Sequence, residues 1–203
     1  PDYTELNHAL IRHNAEVGAK LLADGVRDLL ADVPSFNLLV ILGPEFSRPA
    51  KLRNHVLISE FPEGGGVSHL QLGGWSASDA VNMLIKLVEK GGIYDALLCA
   101  NDNIALAVVD ALLTRPELML MKETKVIGFD GLPRASACIA EYGTNFQLTV
   151  TIPPREYGRM AAEIIKRLTA PSFRPEHWLR KECLVVDIPM DHRNLIDKGC
   201  ARR

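Results

Sequence analysis

Two short apolar runs in this 203-residue chain end abruptly in hydrogen-bonding side chains. Ala96-Leu97-Leu98-Cys99-Ala100 leads into Asn101-Asp102, and Lys125-Val126-Ile127-Gly128-Phe129 leads into Asp130-Gly131. An ionised carboxylate only accepts hydrogen bonds, an amide both donates and accepts, and a guanidinium donates through a planar fork. Arg53, ten residues after Gly43 in a segment opened by Gly43-Pro44, supplies that fork. Trp75, in the loop Gly73-Gly74-Trp75-Ser76, adds an aromatic face. Such a set can grip a small polar molecule. Plainer roles stand beside that one. Asn101 or Asp102 suits a helix N-cap, and Asp130 suits a turn in which it bonds its own backbone. Taken alone, Arg53 reads better as a solvated helix-face cation than as a contact, and Trp75 reads equally as a plug of the core.

Reactive chemistry finds little support. There is no G-x-S-x-G elbow, no phosphate-loop lysine, and the glycines before Trp75 do not follow phosphate-loop spacing. The six histidines are scattered with no metal-ligand spacing, so neither a metal nor a cofactor is expected. Asp102 and Asp130 form a carboxylate pair in principle, but a catalytic carboxylate needs a positioned partner and a reacting group. The expectation is a binding protein and not an enzyme. The four cysteines, Cys99, Cys138, Cys183 and Cys200, show no C-x-x-C spacing. Cys99 and Cys138 read as small core fillers.

The elements that must position these residues alternate. Helical spacing of apolar residues runs from Glu16 to Leu30, from about Ser47 to Phe61, from Ser76 or Ser78 to Lys90, over Ile104–Leu113 and over Arg134–Tyr142. Pro153-Pro154 opens a further helix to Leu168, Pro154 suiting a first turn where its missing N–H has no partner anyway. Between them lie strand-length runs at Phe36–Leu42, Val67–Gln71, Ala96–Ala100, Lys125–Phe129, Gln147–Thr151 and Cys183–Ile188. Strands alternating with helices predict α/β architecture with a doubly wound, mostly parallel sheet. The unbroken apolar runs suit strands buried on both faces. In such sheets ligands lie beyond the carboxyl ends of the strands, where Asn101 and Asp130 stand.

At 47% hydrophobic and 24% charged, the chain can bury a substantial core. Its formal charge of −2 argues against nucleic-acid binding by these residues themselves. No run approaches the length of a transmembrane helix, and no signal-peptide pattern opens the sequence.

Read together, the motifs resemble one superfamily, the type I periplasmic sugar-binding proteins and the lactose-repressor-type regulators. Ala100-Asn101-Asp102-Asn103-Ile104-Ala105 is similar to their "AND-x-x-A" signature, and Val126-Ile127-Gly128-Phe129-Asp130-Gly131-Leu132-Pro133 to their "V-x-G-F-D-G-x-P" turn. Gly43-Pro44 with Arg53 resembles their "G…R" helix start, and Gly74-Trp75-Ser76 their "G-D-[FW]-S" loop. Leu148-Thr149-Val150-Thr151-Ile152-Pro153-Pro154, with Gly158 and Ala161-Ala162, resembles their hinge strand and following helix. The five motifs run in family order across roughly residues 10 to 170.

The resemblance implies a periplasmic-binding-protein-like fold, here mainly one lobe of two. Residues 1–152 would form the C-terminal lobe, 153–181 a segment of the other lobe, and 182–203 a return strand and tail. Arg53, Trp75, Asn101 and Asp130 would then contact a sugar or polyol, the tryptophan facing the apolar side of the ring. Two lobes closing on hinge strands would turn binding into a signal. There are departures. Ala107 stands where the family usually has glycine, and Ile152 falls at or near a hinge position that often supplies a polar contact. The family's first half is missing, which implies a fragment; the helix at Pro154–Leu168 would then lack partners and expose Tyr157, Ala161, Ile164, Ile165 and Leu168.

Two functions follow from the resemblance. One is a periplasmic solute receptor of an ABC-type transport system, partnered by a membrane permease or sensor. The ending Val185–Ile196 favours it, resembling the receptors' apolar strand and "L-I-T-x-x-N"-like close, with no Arg-Ser tail of the regulators. The alternative is the effector domain of a cytoplasmic regulator that reaches DNA only through an upstream helix-turn-helix.

Overall fold

In the computed structural model, residues 9–141, 145–151, 154–170, 184–188 and 196–198 are described. The chain divides into two compact units: Pro1–Asn14 with Ile152–Asp191, and Ala15–Thr151 with His192–Arg203. The elements run β1 (Ala9–His13), α1 (Ala15–Leu30), β2 (Leu38–Leu42), α2 (Arg48–Glu60), β3 (Val67–Gln71), α3 (Ala77–Glu89), β4 (Ala96–Leu98) and α4 (Asp102–Thr114). After a 3-10 helix at Pro116–Met121 come β5 (Lys125–Ile127), α5 (Pro133–Ala140), β6 (Phe146–Val150), α6 (Pro154–Leu168), β7 (Leu184–Ile188) and β8 (Ile196–Lys198).

The larger unit holds a six-stranded sheet in the order β3-β2-β4-β5-β6-β8. Its first five strands pair in parallel, and β8 joins antiparallel beside β6, Thr149 facing Asp197. The mostly parallel α/β sheet expected from the alternating pattern is what forms. Parallel neighbours need crossovers, and right-handed crossovers send α2 to one face and α3, α4 and α5 to the other. In accord with this, α1 packs on α2, and α3 on α4. Leu38 to Leu42 are buried without exception, as a strand covered on both faces must be. Leu84, Leu97, Ile104, Leu118, Met121, Val126 and Phe146 continue the same core.

The strand order carries the functional geometry. From β2 the chain moves outward to β3, then crosses back over β2 to β4 and onward. The direction of winding therefore reverses between β2 and β4, and the crevice beyond their carboxyl ends is a topological switch point. Gly43 follows β2 and Asn101 follows β4 there.

The smaller unit pairs β1 with β7 in parallel, from Ala9 against Leu184 to His13 against Ile188, and α6 packs on both strands. Here the sequence reading needs correction. A strand at Ala9–His13 was not anticipated, because five residues before a helix carry too little pattern to mark one. With that strand present α6 is not bare: Met160 and Ile164 are buried, while Ile165 is exposed. The strand Ile196–Lys198 and the 3-10 helix were likewise unmarked. Cys183, Cys200 and the expected hinge contact at or near Ile152 lie outside the described residues. Cys99 is buried, and the half-buried Cys138 packs against the core, as their reading as core fillers requires.

Candidate functional site

Each expected contact residue sits on or just after an element of the larger unit, at the carboxyl edge of its sheet. The loop after β2 is pinned first. Gly43 donates its N–H to Asn54 Oδ1 at 3.1 Å, and its carbonyl accepts from Asn54 Nδ2 at 2.8 Å and Gln71 Nε2 at 2.6 Å. A side chain at Gly43 would meet Ala50 and the Trp75 ring, both at 2.9 Å, so glycine is what lets the indole lie over this loop. Pro49 near the start of α2 suits a first turn, and that helix carries Arg53 inward.

Arg53 is not the solvated cation of the plainer reading. It is only 7% exposed. Its guanidinium lies 4.3 Å from the Phe129 ring centroid and 5.9 Å from that of Trp75, both within cation–π range. Its nearest charge is Asp130, 3.9 Å from Nη1 to Oδ1. That is ion-pair distance but beyond a hydrogen bond. Among the described residues no group accepts a hydrogen bond from this fork. Burial lowers the guanidinium below its ordinary pKa, and Asp130 opposes the shift.

Asp130 follows β5. Its N–H donates to Val150 O at 2.9 Å, and its backbone bridges to Thr151 in parallel register. Its φ is 118°, the only left-handed non-glycine value among the described residues. Such a conformation costs about 1–3 kcal/mol and persists only where neighbours hold it. Gly131 also has positive φ, at 67°, and a side chain there would run into Thr151. Burial pushes the Asp130 carboxyl up to about 6, against the pull of Arg53.

Asn101 is the N-cap of α4, its Oδ1 accepting from the Ile104 N–H at 2.9 Å. The capping role and the contact role are compatible: the oxygen is used for the cap, and Nδ2 has no partner among the described residues. Asp102 is not the cap. It is fully buried, with Oδ2 accepting from the Leu132 N–H at 2.7 Å and Oδ1 from the Thr149 hydroxyl at 2.7 Å. Burial pushes its carboxyl up to about 6, the bonds from Leu132 and Thr149 restrain it, and the charge of Asp130 adds to the rise. Burial and then the Asp102 charge raise the Cys99 thiol, which suits an inert core residue.

Trp75 is 37% exposed and so is not a core plug. It follows β3, and the next residue, Ser76, caps α3 by accepting from the Asp79 N–H at 3.2 Å. Phe129, fully buried beneath Arg53, was passed over as a contact although it stands in the Phe-Asp-Gly run. Thr149 was missed too; its only sequence signal was a hydroxyl inside an apolar strand. Together these groups offer a guanidinium donor, a carboxylate acceptor, an amide donor and an indole surface around one strand switch point.

No protein-family model and no curated protein matches the sequence. Solved structures do. The chain superposes on an ABC-transporter periplasmic solute-binding protein from Actinobacillus succinogenes with bound D-allose, with TM-score 0.72 and 17% identity over 94% of this chain and 61% of that one. The fold is that of a type I periplasmic binding protein. A solute-binding protein from Bacillus halodurans with bound myo-inositol gives TM-score 0.71 at 16% identity, covering 95% of this chain and 61% of that one. The dimeric lac repressor gives 0.65 at 19%, covering 93% and 62%. The chain thus spans about 61% of the length of the structures it matches, corresponding to mainly one lobe of the type I fold.

Proposed function

We propose that this chain binds a small neutral polyhydroxylated ligand, a sugar or polyol, at the carboxyl edge of the larger unit's sheet. The observation that carries the reading is Arg53: a buried guanidinium within cation–π range of two aromatic rings, near a carboxylate, with no acceptor among the described residues. A ligand hydroxyl can accept from Arg53 while donating to Asp130, filling the gap that their 3.9 Å separation leaves. Asn101 Nδ2 donates to a neighbouring hydroxyl, and Trp75 covers an apolar C–H face. The opposite charges of Arg53 and Asp130 favour a neutral ligand. The set supplies hydrogen-bond partners and an apolar surface, and the work we assign to it is binding rather than turnover.

In the whole protein this binding serves a periplasmic solute receptor of an ABC-type transport system, which delivers its ligand to a membrane permease as the lobes close. The bound D-allose and myo-inositol of structural neighbours support that reading. A second reading, the effector domain of a cytoplasmic regulator, has the lac repressor match behind it. A thermal-shift screen of the full-length protein against free monosaccharides, polyols and phosphorylated metabolites separates them. Ligand at 100 times its Kd adds about 2.7 kcal/mol of stability. Response to a free sugar or polyol supports the receptor, and response to a phosphorylated metabolite alone supports the regulator. Turnover of any responding compound would overturn the binding reading.

A further inference from the structure

We propose that Asp102 is a positioning residue for the ligand site, clamping through Thr149 the turn that holds Asp130 opposite Arg53. The inference rests on the reading of Asp130 as a ligand contact, and it assigns work to a carboxylate that the site itself does not use.

The clamp closes on both sides of Asp130. Before it, the Asp102 N–H donates to the Phe129 carbonyl at 2.7 Å. After it, the Leu132 N–H donates to Asp102 Oδ2 at 2.7 Å, and the Gly131 N–H donates to Thr149 Oγ1 at 3.2 Å. The Thr149 hydroxyl in turn donates to Asp102 Oδ1 at 2.7 Å. One carboxylate and one hydroxyl, from α4 and β6, therefore tie the backbone at 131 and 132, while the backbone N–H of Asp102 holds it at 129. Asp130, between them, is the residue whose φ of 118° needs holding.

Packing brings Asp102 close. A side chain at Gly128 would collide with its Oδ1 and come within 2.6 Å of the Phe146 ring. Helix capping does not account for Asp102, because Asn101 already caps α4. The charged and titratable groups around the clamp are Arg53 from α2, Asp130 from the turn, and Cys99 beyond β4.

The test is the titration of the Asp130 carboxyl in the ligand-free full-length protein, followed by carbon NMR. Thr149→Val removes the hydroxyl and leaves the Asp102 charge; Asp102→Asn keeps the shape and removes the charge. The expected result is that Thr149→Val moves the Asp130 midpoint from about 6 toward the ordinary aspartate value near 4, as the released side chain reaches water; Asp102→Asn moves it the same way, there also by removing a like charge. Thr149→Ser, which keeps the hydroxyl, holds the midpoint near 6. Leu84→Ala lowers the melting temperature without moving it. An unchanged midpoint in a folded Thr149→Val protein overturns the proposal, leaving Asp102 a stability element only. A wild-type midpoint already near 4 overturns it too.

Titrations with D-allose and myo-inositol keep the two readings apart. Where either sugar binds the wild type, Thr149→Val weakens it at least tenfold and Thr149→Ser does not. Equal affinity in all three overturns the clamp's bearing on binding. Absence of binding by wild type to these and to every other free sugar counts against the sugar reading, while the carboxyl titration still decides the clamp.

Discussion

The Asp130 carboxylate faces the Arg53 guanidinium across 3.9 Å, close enough for charge to matter and too far for a hydrogen bond. A closed bidentate pair would have satisfied both groups and left nothing for a ligand. Phe129 at 4.3 Å and Trp75 at 5.9 Å instead give the guanidinium aromatic neighbours, which take up none of its N–H donors as a carboxylate would.

Asp130→Asn tests that capacity directly. Asparagine tolerates positive φ at least as well as aspartate, so the turn survives while the charged acceptor is lost. Hydrogen bonds to charged groups are worth about 1.5–3 kcal/mol, and the expected result is at least a tenfold weaker Kd by calorimetry. Unchanged affinity would make Asp130 a turn residue only.

Acidification should weaken binding. Asp130 titrates at about 6, and its protonated form accepts a hydroxyl less well. Between pH 7 and pH 5 the apparent Kd should rise roughly tenfold, since below the midpoint each pH unit removes a decade of carboxylate. A flat profile over that range would exclude Asp130 as the acceptor.

Stability should move the other way. Asp102 holds its proton in the fold up to about pH 6, whereas the unfolded chain gives it up near pH 4. Between those values the fold binds more protons than the unfolded state, so stability falls as pH rises. The contribution, about 3 kcal/mol, is present in full below pH 4 and lost above 6. Chemical denaturation at pH 4 and pH 7 should show the wild-type advantage over Asp102→Asn shrinking as pH rises. An advantage that grows instead would reverse the assignment.

Arg53→Lys keeps a positive charge and should still fail. An ammonium cannot present a planar fork, and it lacks the flat face a guanidinium offers to the Phe129 ring. With cation–π contacts worth about 0.5–2 kcal/mol, binding should weaken about tenfold or more with little change in melting temperature. Wild-type affinity in this variant would reduce Arg53 to a source of charge.

Gly128→Ala should damage the fold itself, because its methyl group would meet the Asp102 carboxylate and the Phe146 ring. Overpacking of this kind costs about 1–3 kcal/mol. At about 2–4 °C per kcal/mol for a chain of this size, the loss is visible in a melting curve. An unshifted curve would show that α4 can retreat from β5.

Much of this was legible because the physics is local. A strand buried on both faces needs an unbroken apolar run, and Leu38–Leu42 supplies one. Helices α1 and α3 announce themselves by apolar stripes, and Ser76 by its place before the third helix. Asn101 and Asp130 stood out as polar groups beside strand ends, whereas Arg53, inside α2, and Trp75 were picked out as contacts by the motifs' family resemblance. What stayed hidden depends on partners distant in sequence. Nothing local tells Thr149 from any other strand threonine until β6 lies beside β5. Asp102 looks like a cap until Asn101 takes that place. Ala9–His13 becomes a strand only because Leu184–Ile188 is there to receive it.

Asn101 uses the two ends of one amide for unrelated purposes, its oxygen anchoring α4 and its nitrogen remaining for the crevice. An aspartate here would anchor the helix equally well. The atom left over would then be an acceptor instead of a donor. One exchange of nitrogen for oxygen could therefore retune selectivity without loosening the scaffold, which makes this position an inexpensive point of divergence for natural or engineered descendants of the chain.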